Sequence, residues 1–148
     1  MHLRKFIAIT GFIFVSALIA CSVKPDPIDY GHDECNYCKM TIVDKAHSAQ
    51  LVTKRGKQYK FDAIECMARI VYEKNELGEG GILLVADYNS PGHMLHAKEA
   101  NYVISPGIKS PMGANLSAVS ERSLAEELIR IHGGEIYSWE PLKKFLSE

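Results

Sequence analysis

The first twenty residues decide how much of this chain is left to fold. Met1-His2-Leu3-Arg4-Lys5 is a short basic start, and residues 6–20 then run apolar or small without a charge. A bilayer-spanning helix needs about 20 apolar residues, so this stretch is too short to span and suits a cleaved export leader. No second long apolar run follows, which excludes a multi-span membrane protein. What remains is enough for one modest domain or two very small units.

The leader ends Leu18-Ile19-Ala20-Cys21, with a small residue directly before the cysteine. This resembles the lipobox of bacterial lipoproteins, in which the cysteine is lipidated and becomes the mature N-terminus. Residues 1–20 are thus expected to be a lipoprotein signal peptide and Cys21 the lipidation site. Residues 22–33 (SVKPDPIDYGHD) hold two prolines and little apolar pattern. With Cys21 they read as an extended, lipidated tether over 21–33. The globular domain is expected over 34–148, anchored in the cell envelope and facing the periplasm or extracytoplasmic space. Loss of Arg4 and Lys5 with the leader takes the formal charge from −1 to −3. That balance excludes a nucleic-acid binder carried by bulk charge. High apolar content with low net charge argues against disorder.

Periodicity predicts an α+β domain. Residues 39–43 (KMTIV), 47–53 (HSAQLVT) and 58–61 (QYKF) read as strands, with Lys54-Arg55-Gly56-Lys57 as a charged hairpin tip. Asp62 resembles an N-cap with Glu65 three residues on, a capping-box pattern. The helix it opens carries Ala63, Ile64, Met67, Ile70 and Val71 as an apolar stripe and ends near Lys74. Residues 82–88 (ILLVADY) are a compact strand-length run. The second half repeats the order: strands at 100–105 and 116–119, a helix from Ser120 or Ser123 to His132, Gly133-Gly134, and a strand at 135–139. A short C-terminal helix follows over 141–146. The chain therefore reads as two small duplicated ββαβ-like units packed together, 34–99 and 100–148.

The chemistry concentrates in Cys35-Asn36-Tyr37-Cys38-Lys39-Met40. With Cys21 assigned to lipid, three cysteines remain, and an odd number in an exported chain argues against a purely structural disulfide set. Thiolate and thioether are soft donors that select Cu(I) over hard cations, and zinc sites seldom use thioether. In an extended backbone Cys38 and Met40 would point to one face. Cys35, at a turn, could reach the same point. A Cys-x-x-Cys pair can also be a redox couple, but the β-like sequence after Cys38 lacks the helix N-terminus that usually lowers such a thiol's pKa. Metal binding is favoured, and thiol–disulfide exchange by Cys35 and Cys38 stays open as the alternative.

These residues, with Phe61-Asp62 leading into Ile64-Glu65-Cys66-Met67, Tyr102-Val103 and Pro111-Met112-Gly113, resemble the NosL family over residues 33–146. NosL proteins are lipoproteins needed to mature nitrous oxide reductase. The resemblance implies a duplicated ββαβ architecture and a non-enzymatic, membrane-anchored Cu(I) metallochaperone of denitrification. Its partners would be a recipient copper protein, first of all nitrous oxide reductase, and the maturation machinery of that enzyme. Carried over by position, Cys38 and Met40 match the family's Cys-x-Met metal motif, and Met112 is the candidate third ligand from the second unit. The family more often has glycine between that Cys and Met; here it is Lys39.

Other candidates read as structural. Cys66 beside the apolar stripe is expected to be a buried free thiol, with a ligand role as the minority reading, and Met67 a core residue. His93 and His96 read as exposed imidazoles in a loop, His32 as a solvated tether residue, and His47 and His132 as surface residues. No nucleophile triad, phosphate loop or HExxH motif occurs.

Overall fold

The computed structural model describes residues 23–147. The leader and Cys21 lie outside the described residues. The first unit is β1 (Ala49–Val52), β2 (Gln58–Phe61), α1 (Ile64–Glu73), the one-turn α2 (Asn75–Gly78), β3 (Ile82–Ala86) and β4 (Met94–His96). The second is β5 (Asn101–Ile104), β6 (Leu116–Val119), α3 (Arg122–His132), β7 (Glu135–Tyr137) and α4 (Trp139–Phe145).

The duplication shows in the sheets. The first is ordered β2-β1-β3-β4 and the second β6-β5-β7, with every pair of neighbouring strands antiparallel. In each unit the first strand is central, the second lies on one side, and the helix carries the chain across to place the third on the other. Just beyond β3, Asp87 bridges to Ala118 of β6, and Tyr88 N–H donates to the Ala118 carbonyl at 2.8 Å, which joins the sheets.

α1 is the central helix. Ile64, Glu65, Cys66, Met67, Ala68, Ile70 and Val71 are all buried, because β1 and β2 contact it together with α4 and β6 of the second unit. Leu142 of α4 and Tyr102 of β5 complete the same core. Tyr102 is fully buried and its hydroxyl donates to the Ala97 carbonyl at 2.6 Å, so its polar end is satisfied. α3 instead covers the second sheet from outside, with only Ala125 buried.

β1 is buried on both faces. Ala49 and Leu51 belong to the α1 core. Gln50 is covered by the N-terminal segment and donates to the Asp26 carbonyl at 2.7 Å. Close by, the Tyr30 hydroxyl hydrogen-bonds Ser48 Oγ at 2.9 Å. Lys60 Nζ reaches the Pro27 carbonyl at 2.8 Å and Asp33 Oδ2 at 2.6 Å. Residues 24–33, read as a tether, thus lie along the first sheet in the structure, because their backbone satisfies buried polar side chains there.

Several local expectations change. Residues 39–43 do not form a strand; only Thr41 bridges, to Glu34. β4 and α2 have no counterpart in the sequence reading, and α4 begins at Trp139, two residues early. His47 is buried rather than on the surface. Its Nδ1 lies 2.7 Å from Asp44 Oδ2 and its Nε2 3.2 Å from Ser117 Oγ, which ties the two units together. His93 and His96 are exposed as expected, with His96 on strand β4. Among the described residues no helix is long and apolar enough to cross a membrane.

Candidate metal centre

The loop carrying Cys35 and Cys38 is closed on itself and pinned from outside. Cys35 N–H donates to the Met40 carbonyl at 2.8 Å, and Lys39 N–H to the Cys35 carbonyl at 3.0 Å. To fit this turn Lys39 takes a left-handed backbone, φ 68°. An L-residue there is disfavoured by about 1–2 kcal/mol, whereas glycine is not. The turn gives a physical reason for the family's glycine at this point. It also removes the strand alternation that was expected to align Cys38 with Met40. Asn36 holds the loop on β2: its N–H donates to the Lys60 carbonyl at 2.8 Å and its Oδ1 accepts the Lys60 N–H at 2.6 Å.

One residue past β2, Asp62 turns the chain into α1. It does not cap the helix: the N-cap position is Ala63, with no side-chain cap bond. Its carboxylate is instead committed to thiols. Cys38 S–H donates to Asp62 Oδ1 at 3.2 Å, and Cys66 Sγ, from the first turn of α1, stands 3.4 Å from the same oxygen, its one proton shared between Asp62 and the Cys35 sulfur. Ligand atoms of Cys35, Cys38, Asp62 and Cys66 all lie within 4.8 Å of one another. All three thiols are free. The second Asp62 oxygen, Oδ2, is buried with no hydrogen-bond partner, a costly state for a carboxylate and one a bound cation would relieve.

The sulfurs are electrostatically unequal. Cys35 is fully buried, yet its pKa is pushed down to about 6. The main cause is the hydrogen bond it receives from the Cys66 thiol; burial opposes, and the Cys38 and Asp62 amides add to the lowering. Cys38, which reaches the surface, is pushed up to about 11 by burial first and then by Asp62 and Cys35. Cys66 is raised far above a normal thiol, chiefly because it donates to Cys35. The surroundings therefore favour the anion at buried Cys35 and the protonated thiol at the more accessible Cys38.

The thioethers are exposed. Met40, two residues after Cys38, is 50% exposed, and Met112 is 40% exposed. The Met112 loop is fastened to α1 by Glu65, whose Oε1 accepts Ser110 O–H at 2.5 Å and Ala114 N–H at 3.3 Å. Glu65 adjoins Cys66, so one helical turn presents a thiol to the cluster and anchors the loop bearing the candidate methionine. The structure brings Cys35 and Cys38 together and adds Asp62 and Cys66 to them. Met40 follows the Cys38 turn, and Met112 stands on the loop that Glu65 anchors; neither is among the converging ligand atoms. Asp62 and Cys66 stand four apart at a helix start, a spacing that brings both to one face, but their sequence also fits a cap and a core residue.

A family model described as NosL matches residues 28–146. The chain belongs to the NosL family. A curated NosL relative, the "Copper-binding lipoprotein NosL" of Stutzerimonas stutzeri, is 29% identical over 121 residues, which cover 77% of this chain. The match spans 64% of that relative's length. The crystal structure of the copper chaperone NosL from Shewanella denitrificans superposes with a TM-score of 0.68 at 24% identity, covering 78% of this chain and 92% of that one. That likeness supports the shared NosL fold.

Proposed function

We propose that this chain is a lipid-anchored Cu(I) metallochaperone that hands copper to an extracytoplasmic copper enzyme, nitrous oxide reductase being the first candidate recipient. One observation carries the reading: three free thiols and a carboxylate converge, and one of those thiols, Cys38, is only partly buried. Soft sulfur donors of both kinds suit Cu(I). The names of the two NosL relatives, copper-binding lipoprotein and copper chaperone, point the same way. We assign Cys38, Met40, Met112 and Cys35 as ligands, with Asp62 and Cys66 as the groups that hold their protons and charge. Transfer is ligand exchange: Cys35 keeps a sulfur anion in the interior, while Cys38 and the thioethers are the donors a recipient can reach and replace. Cys21 would carry the lipid that keeps the protein at the envelope.

The same asymmetry disfavours a thiol–disulfide oxidoreductase, which needs its low-pKa sulfur accessible to attack. Here the low-pKa sulfur is buried and the accessible one is protonated. Anaerobic titration of the reduced protein against a Cu(I) chelator, with copper X-ray absorption on the loaded form, tests the proposal. Tight binding of about one ion per chain with sulfur neighbours is expected. A first shell of nitrogen and oxygen alone would discard the site and the chaperone reading together.

A further inference from the structure

The β1–β2 hairpin tip carries Lys54, Arg55 and Lys57, all exposed, and it lies against the start of the described chain. A Cβ on Gly56 would meet Val23 Cγ2 at 3.9 Å, and Gln58 Nε2 donates to the Lys24 carbonyl at 3.0 Å. Val23 is two residues after Cys21. Two residues span at most about 7 Å, so a lipid on Cys21 must leave the protein beside this tip whatever path Ser22 takes. Lys24, also exposed, adds a fourth cation at the same place. The acids nearby are Asp26, whose N–H donates to Gln58 Oε1, and Glu76 and Glu79, which share a hollow with Lys54, Arg55 and Lys57. The tip therefore stays net basic in a chain whose expected exported form is net acidic.

We infer that this tip is a second membrane contact, a basic surface that takes anionic phospholipid headgroups next to the acyl anchor. The inference rests on the proposed lipidation of Cys21. Acyl chains and a basic patch act as separate, additive membrane signals, and the patch supplies the part that depends on lipid charge. Cations at an anionic surface each add attraction within a Debye length. The contact also sets orientation. Asp62 stands at the other end of β2, about 17 Å away along an extended strand, so a tip seated on lipid holds the thiol cluster out toward the aqueous side. A soluble recipient could then reach Cys38 without displacing the anchor.

The test uses the full chain produced with its own leader in a bacterial host and purified in detergent, with N-terminal acylation read by intact mass. The protein is loaded onto vesicles of phosphatidylcholine alone or with phosphatidylglycerol. Transfer to acceptor vesicles and tryptic cleavage after Lys54, Arg55 and Lys57 are followed. The acylated wild type is expected to leave anionic vesicles about 10-fold or more slowly than neutral ones. Its tip should be protected only on the anionic vesicles, and high salt should erase both effects. Lys54→Gln/Arg55→Gln/Lys57→Gln should remove the difference in transfer while leaving Cu(I) binding intact. Equal transfer and equal cleavage on the two vesicle types, with the acyl group present, overturns the basic contact and leaves the anchor standing. An unmodified Cys21 overturns the anchor, and the surface assigned from it falls too.

Discussion

Asn36 and Lys60 exchange two hydrogen bonds, Asn36 N–H to the Lys60 carbonyl and Lys60 N–H to Asn36 Oδ1, so a side chain completes a β-like pair at the end of β2. The pair fixes where Cys35 and Cys38 stand relative to Asp62. Asn36→Ala removes the exposed acceptor of the Lys60 amide, a change worth about 0.5–1.5 kcal/mol. Thermal melting should show that loss of stability, and chelator competition should show weaker Cu(I) binding by several-fold. Unaltered copper affinity would mean the loop holds its place by other means.

Lys39 carries strain in the same loop. Its φ of 68° suits glycine. Lys39→Gly relieves a left-handed penalty but adds freedom to the unfolded chain, for a net gain of about 0.5–1 kcal/mol. A higher melting temperature for the reduced, metal-free protein is expected. A drop in melting temperature would show that the Lys39 Nζ contact with the Asn36 carbonyl, at 3.1 Å, outweighs the backbone term.

Much of this architecture was legible in the residues. β2 and β6 fall where alternation and apolar runs placed them, and α1 follows its apolar stripe. What failed were readings that assumed each polar residue acts locally. Asp62 and Glu65 form a capping-box pattern, yet one carboxylate serves Cys38 and Cys66 and the other serves Ser110, 45 residues away. His47 looked like a surface residue because Ser117, its buried partner, lies 70 residues on. The segment 39–43 looked like a strand because propensity does not register that Lys39 turns left-handed to close the loop. Cys35 and Cys38 were found through local spacing; their convergence with Cys66 needed the tertiary fold.

The His47 contact makes its own prediction. Two ring nitrogens are engaged in the interior, one with Asp44 and one with Ser117, so truncation strands a buried hydroxyl and opens a cavity between the units. His47→Ala should destabilise the domain by about 2–3 kcal/mol, read by denaturant unfolding. A change within about 0.5 kcal/mol would assign His47 to an inert position.

The thiols predict a pH signature. Thiolate absorbance of reduced, metal-free protein should show one anion per chain forming with a midpoint near 6, from Cys35, and a second step toward 11, from Cys38. Cys66→Ala removes the main donor to Cys35 and should move the first step upward. For stability the signs differ. Cys35 is lowered from 9.0, so its contribution is complete above pH 9 and fades as pH falls through about 6. Cys38 is raised, so its contribution is complete below pH 9 and is lost as pH rises toward 11. The stability gap between wild type and Cys35→Ser should therefore widen from pH 6 to pH 9. A single thiol step near 9 would contradict the buried anion.

The ligand assignment is tested by setting Cu(I) against Zn(II). Three thiols and a carboxylate can satisfy zinc without a thioether, whereas Cu(I) also accepts methionine sulfur. Cys38→Ser removes the accessible thiol and should weaken Cu(I) binding by more than about 100-fold. Met40→Ala and Met112→Ala should give smaller Cu(I) losses and leave Zn(II) affinity unchanged, because neither residue adds a donor that zinc prefers. Asp62→Asn keeps the shape but removes the negative charge that faces Cys38 and Cys66, and should shift metal affinity by about 10–100-fold as an outer partner does. Chelator competition with each metal, on wild type, these four variants and Cys66→Ser, reads these effects. If both methionine variants bound Cu(I) as tightly as wild type while Cys66→Ser abolished binding, the metal would lie in the interior among Cys35, Cys66 and Asp62. The exposed thioethers would then be docking groups rather than ligands.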